Sequence, residues 1–250
     1  MHYTILLFSP TGGTAKVVAA LTAPWGEAAH TVDLTNAEAN FSAVSLRPED
    51  VAVIAVPSYG GRVPGLAAAR IQQVRGNGAR AILVCAYGNR AYEDTLAELE
   101  DLAKASGFQV AAAVAAVAEH SILRRFAAGR PDAADQAALA EFGQTIQARL
   151  QVGAPANPIP GNRPYKKAGG GMVPETGADC VQCGQCAAKC PAGAIDPSDA
   201  HKINGAACIS CMRCVALCPR HAKHLDAARL AGIEAMLEKV CSGRCACELF

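Results

Sequence analysis

The sequence lacks an excess of charge of either sign: 23 Lys and Arg against 22 Asp and Glu in 250 residues leave a formal net charge of +1. Neither nucleic acid nor a membrane surface is then a default partner, because both call for a basic excess. No run of eighteen apolar residues is present, so no spanning helix is expected. The opening stretch, MHYTILLFSPTGGT, has no basic region and too short an apolar run for a secretory signal. Cysteine is nearly missing from residues 1–152, where Cys85 stands alone, whereas eleven cysteines fall between 180 and 247. A cytoplasmic chain is expected, and in that reducing compartment clustered thiols are more often metal ligands than disulfides. The length suffices for one substantial domain and a small second one.

The cysteines that are present keep a strict spacing. CVQCGQCAAKCP at 180–191 recurs as CISCMRCVALCP at 208–219, so Cys180, Cys183, Cys186, Cys190 and Pro191 each return 28 positions later as Cys208, Cys211, Cys214, Cys218 and Pro219. C-x2-C-x2-C-x3-C-P is the bacterial-type ligand run for a [4Fe-4S] cluster, and two copies imply two clusters. In this pattern the fourth cysteine turns away to the other cluster, so Cys180, Cys183, Cys186 and Cys218 are expected to hold one and Cys208, Cys211, Cys214 and Cys190 the second. A zinc knuckle pairs two short clips and needs neither a third equally spaced thiol nor the Cys-Pro ending. Over 179–225 the basic Lys189, Lys202, Arg213, Arg220 and Lys223 outnumber Asp179, Asp196 and Asp199. This is either a solvated face or positive charge that raises cluster potential or docks an acidic partner. Over about 178–225 the sequence resembles the bacterial two-cluster ferredoxins, which implies a small α+β fold.

Residues 1–152 alternate apolar runs with helical stretches. Strands are predicted at 3–8, 30–34, 51–56, 79–87 and 108–117, and helices at 14–23, 65–75, 91–106 and 132–150. The alternation indicates a doubly wound, five-stranded parallel sheet, which binds ligands at the carboxyl ends of its strands. Residues 153–177, rich in proline and glycine, read as a linker or as an extended segment lying across the first domain. Residues 226–250 read as a C-terminal helix and a cysteine-containing tail. Cys85 reads as a small buried hydrophobe, and Cys241, Cys245 and Cys247 as free thiols, since the tail supplies no fourth ligand.

Three loops fall at carboxyl ends of strands. The first, SPTGGT, offers the hydroxyls of Ser9, Thr11 and Thr14 and the close backbone approach of Gly12 and Gly13, just before a helix. It is a phosphate cradle without Lys or Arg, and neither a Walker loop nor a dinucleotide fingerprint. The others are PSYGGRVPG from residue 57 and AYGNRAYED from residue 86, each with a tyrosine beside glycine. A planar cofactor with a phosphate tail would satisfy all three.

On these loops, residues 1–150 resemble the flavodoxins, with S-x-T-G-x-T as the FMN phosphate loop. The resemblance implies that Pro57, Ser58, Tyr59, Gly60, Gly61 and Arg62, with Tyr87, Gly88, Asn89, Arg90 and Tyr92, border the isoalloxazine. Tyr59 or Tyr87 would stack, and the Gly60 or Gly88 peptide would meet flavin N5. Pro10 departs from a full set of amide donors, and His120 and Ser121 are candidates for the flavin edge. The whole chain resembles the flavodoxin–ferredoxin fusions of anaerobic bacteria known as EFR1-family ferredoxins. That implies an electron carrier coupling FMN to two [4Fe-4S] clusters for partner redox proteins in anaerobic metabolism, with no catalytic residue of its own. The alternative is an FMN-dependent reductase of a small molecule, fed through the clusters.

Overall fold

The computed structural model describes residues 2–26, 29–241 and 243–250. Its main sheet is built from β1 (Tyr3–Leu7), β2 (His30–Asp33), β3 (Val51–Pro57), β4 (Arg80–Tyr87) and β5 (Gln109–Val117), all parallel, in the order 2-1-3-4-5. This is the flavodoxin-type doubly wound order. The period of two along each strand divides the core between the faces. Ala52, Ile54 and Val56 of β3 pack with α2 (Gly65–Ile71) and α3 (Thr95–Ala105), while Val51, Val53 and Ala55 pack with α1 (Gly13–Thr22) and α4 (Ala133–Val152). Helices cover both faces, so VAVIAV reads as one apolar run and not as an alternation.

The expected five strands are joined by a sixth. After two short strands, β6 (Glu175–Thr176) and β7 (Lys223–His224), the last strand β8 (Glu248–Leu249) adds antiparallel to the edge of β5, opposite Val114 and Ala115. Phe250 extends the pairing, its N–H and carbonyl both bonded to Ala113. The tail is held by a buried ion pair: Arg130, between Asp135 and the Cys245 carbonyl (2.9 Å), fixes the turn before α4 to the chain end.

Within residues 153–177, here the strap, Gly161 to Lys166 lie across α3. Asp94, 1% exposed, accepts hydrogen bonds from Asn162 N (2.8 Å) and Lys166 N (2.7 Å), which hold its carboxyl below the usual range. Arg163 adds bonds to Asp101 and Glu100, and Tyr165 to Asp101.

The cysteine-rich unit carries its repeat in the backbone. Gln182 and Ser210 have φ of 54° and 55°, and Gly184 and Met212, which open the short helices α5 (Gln185–Ala188) and α6 (Arg213–Leu217), have φ of 75° and 60°. Left-handed residues at matched positions curl each run inward, so successive thiols face one hollow. A small third core of Met172, Met212 and Leu225 joins this unit to the strap, to Ile122, and to Leu230 and Ile233 of α7 (Ala227–Val240).

Candidate functional site

The eight repeated cysteines divide between two hollows. Cys180, Cys183, Cys186 and Cys218 line one; Cys190, Cys208, Cys211 and Cys214 line the other. The fourth cysteine of each run therefore stands with the first three of the other run. Two sulfurs receive the same backbone bond, Ala194 N to Cys190 Sγ and Ala222 N to Cys218 Sγ, both 3.3 Å and 28 residues apart. Among the described residues, no group of three or more His, Cys, Asp or Glu side chains is placed to hold a single metal ion. The thiols ring a space, as a cluster of several atoms requires.

Each hollow has a cation at its wall. In the second, the Arg213 Nε is buried and has no partner among the described residues, while its Nη1 bonds Thr35 Oγ1 (2.5 Å), leaving a donor in the wall shared with Cys211 and Cys214 for an anionic occupant. In the first, Lys223 is buried and bonded to Thr176 Oγ1 (2.5 Å) and the Ala200 carbonyl (2.6 Å). Burial pushes the Cys211 and Cys214 thiols up to about 11 and about 12, so thiolates there call for a metal's charge.

At the carboxyl ends of the main sheet lies a cleft of about 350 Å³. All three predicted loops reach it, through Ser9, Thr11, Gly13 and Thr14, through Pro57 to Gly61, and through Tyr87, Gly88 and Arg90. Helix α1 begins here without a side-chain bond from its N-cap residue or an acidic residue in its first turn, so its first two amides, Gly13 N and Thr14 N, are left for an anion. Ser9 Oγ accepts from Ala15 N (3.0 Å), which leaves its O–H to donate. Tyr59 and Arg62 close a tight turn by mutual backbone bonds, with Gly60 and Gly61 at φ of 61° and 82°. Gly61 admits no side chain, since a Cβ would lie 1.8 Å from Glu93 Oε2.

Four of the predicted residues stand behind this surface. Gly12 is the left-handed N-cap of α1, and the cleft is walled by its neighbours. Arg62 is turned to Glu98 (2.7 and 2.8 Å) and the Lys166 carbonyl (2.6 Å), so it ties the turn to α3 and the strap. Asn89 is buried, donates to the Gly243 carbonyl (2.7 Å) and accepts from Cys245 N (3.1 Å), anchoring the tail. Tyr92 bonds Glu248 (2.9 Å) and props the Tyr87 ring edge-on at 5.2 Å. Burial raises the Tyr59 and Tyr87 phenols well above their ordinary value, so both stay neutral.

His120 proves to be part of the wall. Its Nδ1 accepts from Ile122 N (3.3 Å) and Leu123 N (3.1 Å), and burial, with Arg90 nearby, lowers its basicity. The network therefore assigns a neutral ring with the proton on Nε2. Sequence reasoning missed two further contributors, Gly170 of the strap and the α7 side chains Ile233, Met236 and Leu237, which line the cleft. The run Gly169-Gly170-Gly171 was the available signal for the first. Gly169 backbone passes Gly60, and a Cβ on Gly171 would lie 2.0 Å from Ser210 Oγ.

The strap closes a second chamber, also about 350 Å³, between the cleft and the second hollow. Tyr59, His120 and Gly170 are shared with the cleft, while Cys208, Ile209 and Ser210 form the far side. Arg70, 8% exposed, clamps the units by bonding both the Leu34 carbonyl (2.5 Å) and the Pro191 carbonyl (2.7 Å). The second hollow is therefore the inner one.

Residues 179–223 match the family described as the 4Fe-4S dicluster domain. No match is found among curated proteins. Solved structures similar to this chain include the flavodoxin of Streptococcus pneumoniae TIGR4, 17% identical with a TM-score of 0.42, covering 60% of this chain and 99% of that one. Rubredoxin oxygen:oxidoreductase from the anaerobe Desulfovibrio gigas is 15% identical with a TM-score of 0.42, covering 60% of this chain and 37% of its own. The two-electron reduced flavodoxin of Megasphaera elsdenii is 16% identical with a TM-score of 0.37, covering 58% and 98%. The fold assignment rests on the strand order. The chain joins a flavodoxin-like domain to a 4Fe-4S domain, a pairing suited to electron transfer. Among the described residues no helix is long and apolar enough to cross a membrane.

Proposed function

We propose that this chain is an electron carrier coupling two [4Fe-4S] clusters to FMN, converting between one- and two-electron steps for partner redox enzymes in anaerobic metabolism. When bound, the clusters supply single-electron steps and FMN a two-electron store. Cys180, Cys183, Cys186 and Cys218 hold the outer cluster, and Cys190, Cys208, Cys211 and Cys214 the inner one. Ser9, Thr11, Gly13 and Thr14, with the first amides of α1, hold the FMN phosphate, and the Tyr59 turn and the Tyr87 loop border its ring. Gly12, Arg62, Asn89 and Tyr92 shape those loops from behind, and the neutral His120 ring forms part of the cleft wall.

The observation that carries this reading is the shared chamber: Cys208 of the inner quartet lies across it from Tyr59 and His120 of the cleft wall. A reductase of a small molecule has one feature in its favour, the His120 ring in the wall of that chamber. The apolar side chains of Ile233, Met236 and Leu237 in the cleft wall weigh toward the carrier, because they suit a flavin ring better than a polar substrate. Anaerobic purification followed by metal and flavin analysis tests the proposal. One FMN and about eight irons per chain are expected from one phosphate loop and two ligand quartets. Stoichiometric zinc, or a dinucleotide in place of FMN, would overturn it.

A further inference from the structure

The two halves of the cysteine-rich unit repeat each other in sequence and backbone, yet they meet different surroundings. Around the inner hollow, Ile209 packs against the main core, Cys211 and Met212 are buried, Ser210 faces Gly171, and Pro191, which follows Cys190 of the first run, is buried with its carbonyl held by Arg70. The counterparts 28 residues away are exposed, except Gly184, the counterpart of Met212, which is half-buried. Val181 is 61% exposed, Gln182 and Cys183 are exposed, and Pro219 is exposed. Leu217, just before Cys218, is 41% exposed and has no covered counterpart, since the other run has the exposed Lys189 at that place. The face that seats one half on the flavodoxin-like domain is thus duplicated on the other half and left uncovered.

The uncovered copy differs from the covered one in charge. The hollow of Cys180, Cys183, Cys186 and Cys218 has the exposed Arg220 in its wall, with Lys223 buried behind it, and no carboxylate in its lining. Arg220 stands where the covered half has Ala192, and it is exposed. Of the nearby acids, Asp199 is engaged by Lys202 (3.7 Å), His201 N (3.0 Å) and Gln182 (3.4 Å), while Asp179 is exposed beside Cys180. A small apolar patch beside the exposed Arg220, on a unit whose exposed Lys189, Lys202 and Arg220 outnumber its exposed Asp179, complements an acidic surface around another protein's redox centre.

We infer that Val181, Leu217, Pro219 and Arg220 form the docking face for an acidic redox protein, which exchanges electrons at the outer quartet while the inner quartet serves the cleft. This rests on the electron-carrier reading and adds the class of partner and its point of contact.

The test measures binding of an acidic bacterial ferredoxin to the anaerobically purified full chain by calorimetry, at low and high ionic strength, with a basic c-type cytochrome as the opposite probe. The wild type should bind the ferredoxin with an affinity that falls as salt rises. Arg220→Glu should weaken it about tenfold at low salt and flatten the salt dependence, since steering charges act through a screened field. Leu217→Ser should weaken it at both salt levels, with dithionite reduction of the clusters unchanged. Iron content of each variant confirms that the fold is kept. Equal binding by Arg220→Glu and wild type, or binding of the basic cytochrome as tight as that of the ferredoxin, would overturn the assignment. A chain that lacks clusters yet shows the expected binding pattern would refute the carrier reading and leave the docking face standing.

Discussion

Replacing Thr14 by valine removes one hydroxyl from the mouth of α1 and changes almost nothing else. Thr14 is 3% exposed and lines the cleft, and valine has nearly its shape, so packing is kept. The cradle SPTGGT contains no Lys or Arg, so a phosphate there depends on hydroxyls and free amides. Loss of one hydrogen bond to a buried anionic group costs about 1–3 kcal/mol. That is roughly a 5- to 150-fold rise in Kd for FMN. The helix field remains in the variant and contributes about 0.3–1 kcal/mol on its own, so binding weakens without being abolished. The assay is titration of flavin fluorescence with FMN and, in parallel, with riboflavin, which has the ring but no phosphate. Riboflavin affinity should be almost unchanged. An equal loss for the two ligands would refute the reasoning and make the hydroxyl a support of the fold.

Arg130→Ala would leave Asp135 buried with only the partly exposed Arg244 (3.0 Å) beside it, so stability should fall toward the lower end of about 3–5 kcal/mol in urea unfolding; a change under about 1 kcal/mol would mean the tail is not held there. Asp94 has a folded pKa held below its unfolded one by Lys166 N and Asn162 N. Its contribution is therefore complete above the ordinary carboxylate pKa and lost as pH falls through the folded value. Proteolysis of the 153–177 strap should accelerate in that acid range, and Asp94→Asn should remove the dependence. NADH and NADPH should not reduce the flavin directly, since no dinucleotide fingerprint is present; rapid hydride transfer in stopped-flow mixing would promote the reductase.

The parts of the fold that repeat a simple rule were legible. YTILLF, VAVIAV and AILVCAY are apolar runs of strand length between helical stretches, and they became β1, β3 and β4 of the parallel sheet. The spacing of 28 was legible as two equivalent sets of thiols, and the eight repeated cysteines line two hollows, four to each. Less was legible where function depends on chain return. Glu248 and Leu249 make too short a strand to show periodicity, and their place at the edge of β5 is set by Asn89 and Arg130, far away in sequence. Asn89 and Tyr92 belong to a loop that faces the cleft on one side and the tail on the other, and sequence order does not reveal which side chain turns which way. Leu230, Ile233 and Leu237 mark an apolar stripe at helical spacing, but its seat, half over the cysteine-rich unit and half over the cleft, is a tertiary fact. Cys85 is fully buried, and Cys245 Sγ donates to the Asn89 carbonyl (3.3 Å), consistent with thiols that serve packing and anchoring.

The most direct test of the account is the ownership of Cys190. It follows Cys186 in sequence but lines the hollow of Cys208, Cys211 and Cys214. Loss of one cysteine ligand commonly leaves a three-iron cluster with its own magnetic signature, so Cys190→Ser is best read by electron paramagnetic resonance in two double variants. Adding Cys211→Ser should strike the same cluster twice and leave the other signal intact, whereas adding Cys183→Ser should disturb both. The reverse pattern, with Cys183→Ser sparing one cluster and Cys211→Ser damaging two, would mean that each run serves its own site and that the crossed arrangement is wrong.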